Sequence, residues 1–398
     1  MLTRRSLLFG TSALVFSQFL LGCNGSNAGI KVRLLADSVP PQLLKEFQRQ
    51  IDKNSVVNFL QSKQIAEVFE LLQSWQKQPN SQEKPATGLP SLPFAGPKVA
   101  PLADLVTLGD YWLAPAIQQG LIQPLPVQDI PEWQQLPDLW KHLVRRDRQG
   151  QLSDTGEVWA APYRWGTLMM VYRPEKFQDL GWVPTDWSDL WRSELKGKIS
   201  LLDSPRTVIG LTLKKLGKSL NLSDLQTVAN LSSELQSLQQ QVKFYSSKAY
   251  LQPLILEDTS LAVGWSHEIL PLLERENHLA GVVPKAGTIL TADLWVRPTT
   301  APTANVGNSD RLTLLKQWMG FCWNPKIAAQ LSLLSTAASP LFTGKDASQI
   351  PASLRPKNLL IPPLDIQQRS EFLLPLAAST LEQYRQLWTA MRTGAVQP

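Results

Sequence analysis

Histidine and cysteine are both scarce in this chain, and their scarcity removes whole classes of chemistry. Only His142, His267 and His278 occur in 398 residues, too few and too scattered for a metal cluster. His267-Glu268 runs on into Ile269-Leu270-Pro271, so the second histidine of a zinc-protease helix is missing. Two cysteines, Cys23 and Cys322, are too few for a disulfide framework. Dense basic runs are also lacking, which argues against a nucleic-acid partner, although lysine and arginine outnumber the acids by 39 to 33. Gly217-Lys218-Ser219 has the end of a phosphate loop, but six residues separate it from Gly210 where about four are needed. Gly264-Trp265-Ser266-His267-Glu268 lacks the second glycine of a nucleophile elbow. No internal repeat is visible. No catalytic motif, cofactor or metal is indicated, and only carboxylate pairs, whose separation is invisible in sequence, stay open.

What is present begins at the N-terminus. Arg4 and Arg5 precede an uncharged run from Leu7 to Gly22. Its 16 residues are short of the roughly 20 that cross a bilayer, and a charged start, an apolar stretch and small residues near a cleavage point make a signal peptide. Leu20-Leu21-Gly22-Cys23 resembles the lipoprotein signal, placing a lipid on Cys23. Thr3-Arg4-Arg5-Ser6-Leu7-Leu8 resembles a twin-arginine signal, so general secretion and twin-arginine export both stand. The expectation is an exported, periplasmic protein tethered to a membrane through Cys23. Cys322 would then have no partner. It lies in the apolar Trp318-Met319-Gly320-Phe321-Cys322-Trp323, where a free cysteine packs as a small hydrophobe.

Cleavage before Cys23 leaves 376 residues (398 minus 22), enough for two domains. At 43% hydrophobic and 18% charged residues the chain is globular. The proline-bearing stretch Lys77 to Lys98 predicts a long surface loop. Short β-rich runs lie at Lys31 to Ala36, Leu105 to Leu108, Ile199 to Asp203, Leu261 to Ser266 and Gly281 to Pro284. Apolar residues at Leu225, Val228, Leu231, Leu235, Leu238 and Val242 predict one helix over Ser223 to Val242, opened by a capping box of Ser223 and Gln226. Leu43 to Ile51, Ile65 to Trp75, Leu312 to Trp323 and Leu376 to Met391 are further amphipathic stretches. Strands alternating with helices predict an α/β protein with mixed or mostly parallel sheets. Most of the fourteen tryptophans are expected to be packing residues.

Five stretches, in order, resemble the periplasmic spermidine/putrescine-binding proteins, the substrate-capture components of ABC importers. They are Val39-Pro40-Pro41 running on to Phe47; Asp104-Leu105-Val106-Thr107 with Tyr111 and Gly120-Leu121-Ile122-Gln123; Val158 to Gly166, the segment that crosses between lobes; Leu195-Lys196-Gly197-Lys198 with Asp203, Arg206 and Leu213 to Gly217; and Val283-Pro284-Lys285 with Gly287 and Asp293. The resemblance implies a type II-like periplasmic-binding-protein fold, two α/β lobes with the ligand cleft between them. It implies a signal peptide over 1–22, a lipid-anchored linker over 23–30, one lobe from 31–165 and 292–370, and a second from 166–291 and 371–398. A small-molecule ligand, an ABC permease and a monomeric state follow.

Carried over residue by residue, Asp293 matches a ligand-pairing aspartate, Tyr111 a site tyrosine, and Trp265 the neighbourhood of a site tryptophan. Trp165, Tyr163 and Asp203 complete the candidate ligand-binding set, while Arg206 is expected to be structural. The chain departs from the family where Leu35 and Ser38 replace aromatics, Ser204 and Thr207 replace two carboxylates, and Thr291 replaces a tryptophan. The function implied is capture of a small organic solute, such as a polyamine-like cation, for an ABC importer. An exported lipoprotein hydrolase and a ligand-free interaction scaffold are the alternatives.

Overall fold

The computed structural model describes residues 29–77, 100–301 and 309–394. The segment expected to be a signal peptide, Cys23 and all but the last two residues of the expected linker lie outside the described residues, as does most of the loop expected over Lys77 to Lys98.

Nine strands set the architecture: β1 (Gly29–Leu35), β2 (Val56–Ser62), β3 (Leu105–Gly109), β4 (Ala161–Tyr172), β5 (Ile199–Leu201), β6 (Val242–Tyr245), β7 (Leu261–Trp265), β8 (Ala280–Val282) and β9 (Ile289–Pro298). They run in the order β2-β1-β3-β9-β4-β7-β5-β6, with β8 beside β4, inside a sheet of eleven strands. The sheet is mixed. β1 is parallel to β2 and β3, and β5 is parallel to β7 and β6. The central pair β9 and β4 is antiparallel, and each runs antiparallel to its outer neighbour, β3 and β7. Parallel neighbours need crossover connections, supplied by α1 (Pro41–Gln50) between β1 and β2 and α2 (Ile65–Lys77) between β2 and β3. The other helices used below are α3 (Asp110–Gln118), α4 (Pro205–Lys215), α5 (Leu231–Gln241), α6 (Ser266–Arg275), α7 (Ser309–Trp323) and α8 (Ala378–Thr393).

β4 and β9 tie the two lobes together. Within β4, Ala161 to Thr167 pairs with β9, and Leu168 to Tyr172 pairs with β7. The buried apolar side chains divide along the same strands. One core takes residues from Ile30 to Trp165 and from Leu290 to Phe372. Another takes residues from Leu168 to Ile289, with Tyr384 and Met391 of α8. Nine of the fourteen tryptophans are buried, most in the first core, where Trp318 packs edge-on against Phe47 with ring centroids 5.0 Å apart. Cys322 is free and buried, and burial pushes its thiol far above the ordinary range.

The single helix expected over Ser223 to Val242 is broken. Asp224, not Ser223, caps a short 3-10 turn at Leu225–Thr227 by accepting the Gln226 N–H at 3.0 Å. Asn230 then takes a left-handed conformation (φ 63°) and α5 starts at Leu231. Val242 already belongs to β6. Leu225, Val228, Leu231, Leu235 and Leu238 are all buried, so the spacing marked the inward face. The kink at Asn230, a residue that tolerates left-handed backbone, left no trace in that spacing.

Candidate functional site

A cavity of about 650 Å³ opens between the lobes. Its walls are built largely from helix N-termini: those of α2 (Lys63 to Ala66), α3 (Gly109 to Trp112), α4 (Ser204, Arg206, Thr207) and α6 (Trp265, His267, Glu268). These follow the C-terminal ends of β2, β3, β5 and β7, the edge at which open α/β sheets hold ligands. Arg164 of β4 and Leu290, Thr291 and Asp293 of β9 form the side where the two crossing strands meet. Another groove, between α1, α7 and residues 129–132, is confined to one lobe and contains none of the candidate residues.

The cavity gathers four of the six candidate ligand residues: Tyr111, Asp203, Trp265 and Asp293. Tyr111 is 55% exposed, with its ring edge-on to Trp112 at 5.9 Å, and Trp265 is half-buried at the end of β7. Tyr163 and Trp165 are a correction: neither lines the cavity. Tyr163 is stacked on Trp295 with ring centroids 4.1 Å apart and shares a 3.2 Å hydrogen bond with Thr107. Trp165 donates its indole N–H to the Ser339 carbonyl at 3.1 Å. Side chains alternate along a strand, so Tyr163 and Trp165 enter the core while Arg164, between them, faces the cleft.

Arg164 was the residue missed. It stands opposite Asp293 in the β4–β9 register and donates its Nε–H to the Asp293 carboxylate, with both side chains largely buried. A charged residue inside an otherwise apolar and aromatic strand demands a buried counter-charge, and that was the available signal. Asp203 is exposed and paired as well, with Arg392 of α8 at 3.2 Å, whose guanidinium lies over the Tyr245 ring at 4.0 Å.

The other two acids of the cavity are engaged differently. Asp110, only 8% exposed, accepts the Ala292 N–H at 2.8 Å and the Thr291 hydroxyl at 3.2 Å. Burial outweighs those bonds and pushes its carboxyl up to about 6. Glu268 accepts the Tyr250 phenol, whose oxygen in turn accepts the Trp265 N–H at 3.2 Å. Glu268 keeps exposed surface, yet the walls of the cleft displace water and push its carboxyl up to about 7. Burial, assisted by the Arg164 charge, pulls His267 down to about 4, leaving it neutral at physiological pH.

The cations are less well matched. Arg206 is 6% exposed. Its Nη2 donates to the Leu374 carbonyl at 3.2 Å and to Asn221 Oδ1 at 3.4 Å, and its guanidinium lies over Tyr384 at 4.9 Å. Nε and Nη1 have no hydrogen-bond partner among the described residues. Burial lowers its pKa, and only the phenols of Tyr384 and Tyr111 push the other way. Among the described residues no ion pair within 4 Å engages the lining Lys63 or Lys248 either. No group of three or more histidine, cysteine, aspartate or glutamate side chains among the described residues can hold a metal ion.

Comparison with known proteins places this geometry. The model of the family "Bacterial extracellular solute-binding protein" matches residues 100–366. The putrescine-binding periplasmic protein PotF of Escherichia coli is 24% identical over 314 residues, covering 73% of this chain and 78% of that protein. The spermidine/putrescine-binding periplasmic protein of Escherichia coli is 24% identical over 229 residues, 58% of this chain and 61% of its own length. Among solved structures, the spermidine/putrescine ABC transporter substrate-binding protein PotD of Streptococcus pneumoniae shares the fold with a TM-score of 0.71 at 20% identity, covering 92% of this chain and 98% of that one.

Proposed function

The chain belongs to the bacterial extracellular solute-binding proteins, and from that membership we propose that it captures a small organic solute between its lobes and hands it to the permease of an ABC importer. The observation that supports this reading is the cavity itself. It lies where β4 and β9 pass from one core to the other and is lined from both sides by charged, polar and aromatic groups. Hinge closure of lobes around a ligand is the motion such an arrangement permits.

In this reading the lobes divide near Trp165 and Thr291, with 31–165 and 292–370 in one and 166–291 and 371–398 in the other. Tyr111, Trp265, Asp203 and Asp293 contact the solute. The protein acts as a monomer outside the cytoplasm, exported on residues 1–22 and anchored by lipid on Cys23. No helix among the described residues is long and apolar enough to cross a membrane. The names of the relatives make putrescine and spermidine the first solutes to try.

The test is thermal unfolding of residues 24–398, which contain every described element, against polyamines, amino acids, organic acids and sugars. A ligand at about 100 times its Kd adds roughly 2.7 kcal/mol to native stability. A rise in melting temperature, with a smaller radius of gyration in solution scattering, is the expected result. No shift with any solute, and no contraction, would overturn capture and bring the ligand-free scaffold forward.

A further inference from the structure

The charge arrangement around α4 narrows the class of solute, given the capture reading above. The N-terminus of α4 opens into the cavity through Ser204, Arg206 and Thr207. The helix has 11 residues and no acidic side chain in its first turn. Its N-cap oxygen, Ser204 Oγ, accepts the Thr207 N–H at 3.4 Å. Pro205 at the first position has no N–H, and the Thr207 and Val208 N–H groups are taken by the Ser204 hydroxyl and carbonyl, so it is the helix dipole that presents partial positive charge to the cleft, an environment that favours an anion.

Arg206 points to the same ligand independently. A buried guanidinium without an anionic partner is costly, and among the described residues Nε and Nη1 of this one have no hydrogen-bond partner and no carboxylate forms an ion pair with it. Around it the acids are already committed. Asp293 is paired with Arg164 and Asp203 with Arg392, while Asp110 and Glu268 are held by hydrogen bonds within the chain. Lys63 and Lys248 add two further positive charges to the lining. The resemblance offers two carboxylates at positions 204 and 207 for ammonium groups; this chain has Ser204 and Thr207 there, beside a cation in want of a partner.

From this we infer that the captured solute carries an anionic group, a carboxylate or a phosphate, which docks against Arg206 and the N-terminus of α4. Any amine on the same molecule lies against the remaining lining, where Trp265 offers an aromatic face. The class is an amino acid, an organic acid or a phosphorylated small molecule.

The test uses a matched set of probes on residues 24–398: putrescine, 4-aminobutyrate and succinate, which exchange ammonium for carboxylate on a four-carbon chain, and inorganic phosphate. Binding is followed by melting temperature and by calorimetry. The expected result is binding of at least one of the three anionic or zwitterionic probes, weakened ten-fold or more in Arg206→Gln. Whether it is the carboxylates or phosphate distinguishes the two sources of the group. Because Arg206→Gln risks the packing of α4 on α8, Ser204→Asp is the second variant. Aspartate is as good an N-cap as serine, so the helix persists while a negative charge enters the site, and the anion's affinity should fall at least as far. Putrescine alone binding, or an anionic probe binding both variants as tightly as the parent, would overturn the inference and leave capture standing. Silence from all four probes overturns the inference; silence across the wider solute panel as well overturns capture with it.

Discussion

Asp293 and Arg164 face each other across adjacent strands, and the Arg164 Nε–H is donated to the Asp293 carboxylate in a largely buried ion pair. The aspartate that the family resemblance offers to a cationic ligand is thereby neutralised from within the chain. A cationic group drawn to Asp293 would have to displace Arg164 or share the carboxylate with it.

The pair carries its own prediction. Removing one partner of a buried ion pair leaves the other charge uncompensated, at about 3–5 kcal/mol. Asp293→Ala should lower unfolding stability by that order in urea, and Arg164→Met likewise. The double variant should lose clearly less than the sum of the two. Additive losses would show that the pair does not couple.

Asp110 makes stability depend on pH. Its carboxyl is raised from 3.8 to about 6 in the folded state, so the folded protein binds the proton more tightly than the unfolded chain. The resulting stabilisation is complete below about 4 and disappears as pH rises through about 6. With roughly 1.4 kcal/mol per pKa unit, wild type should lose on the order of 2–3 kcal/mol relative to Asp110→Asn between pH 4 and 7. Parallel stability curves for the two proteins would refute the assignment.

Gly264 gives the Tyr250 ring its place. A Cβ at position 264 would overlap that ring, whose hydroxyl holds both Glu268 and the Trp265 N–H. Gly264→Ala should therefore cost about 1–3 kcal/mol by overpacking and also weaken solute binding, since the Tyr250–Glu268 contact lies in the cavity wall. Unchanged binding with lowered stability would confine the glycine to packing.

Cys322 is the sole thiol of residues 24–398, and it is buried with its pKa raised. A thiol reagent should leave it untouched under native conditions and label one equivalent in denaturant, with a rate that tracks unfolding. Rapid native labelling would mean that α7 opens locally.

Much of the local structure was legible in the chain. The strands near Lys31, Leu105, Ile199, Leu261 and Gly281 and the helices near Leu43, Ile65, Leu312 and Leu376 are where the apolar patterns put them, within a few residues. β2, β4, β6 and β9 were not among the runs read as strands; Asn58, Gln61, Asp293 and Arg297 interrupt β2 and β9, and Val242 of β6 continued the helical spacing. The break at Asn230 escaped notice because the five buried residues around it keep helical spacing across the turn.

The site divides the same way. By itself the sequence determined the class of fold, the family through five ordered motifs, and the candidacy of Tyr111, Asp203, Trp265 and Asp293. Only the tertiary structure decided that Arg164 occupies Asp293, that Tyr163 and Trp165 turn into the core, and that Arg206, in the first turn of α4, has two nitrogens without a partner among the described residues. The physical reason is range. Periodicity and capping act over a few residues, whereas the charges that meet in the cleft are separated by as many as 189 positions along the chain. Whether a side chain is free for a ligand depends on which of those distant partners has already reached it.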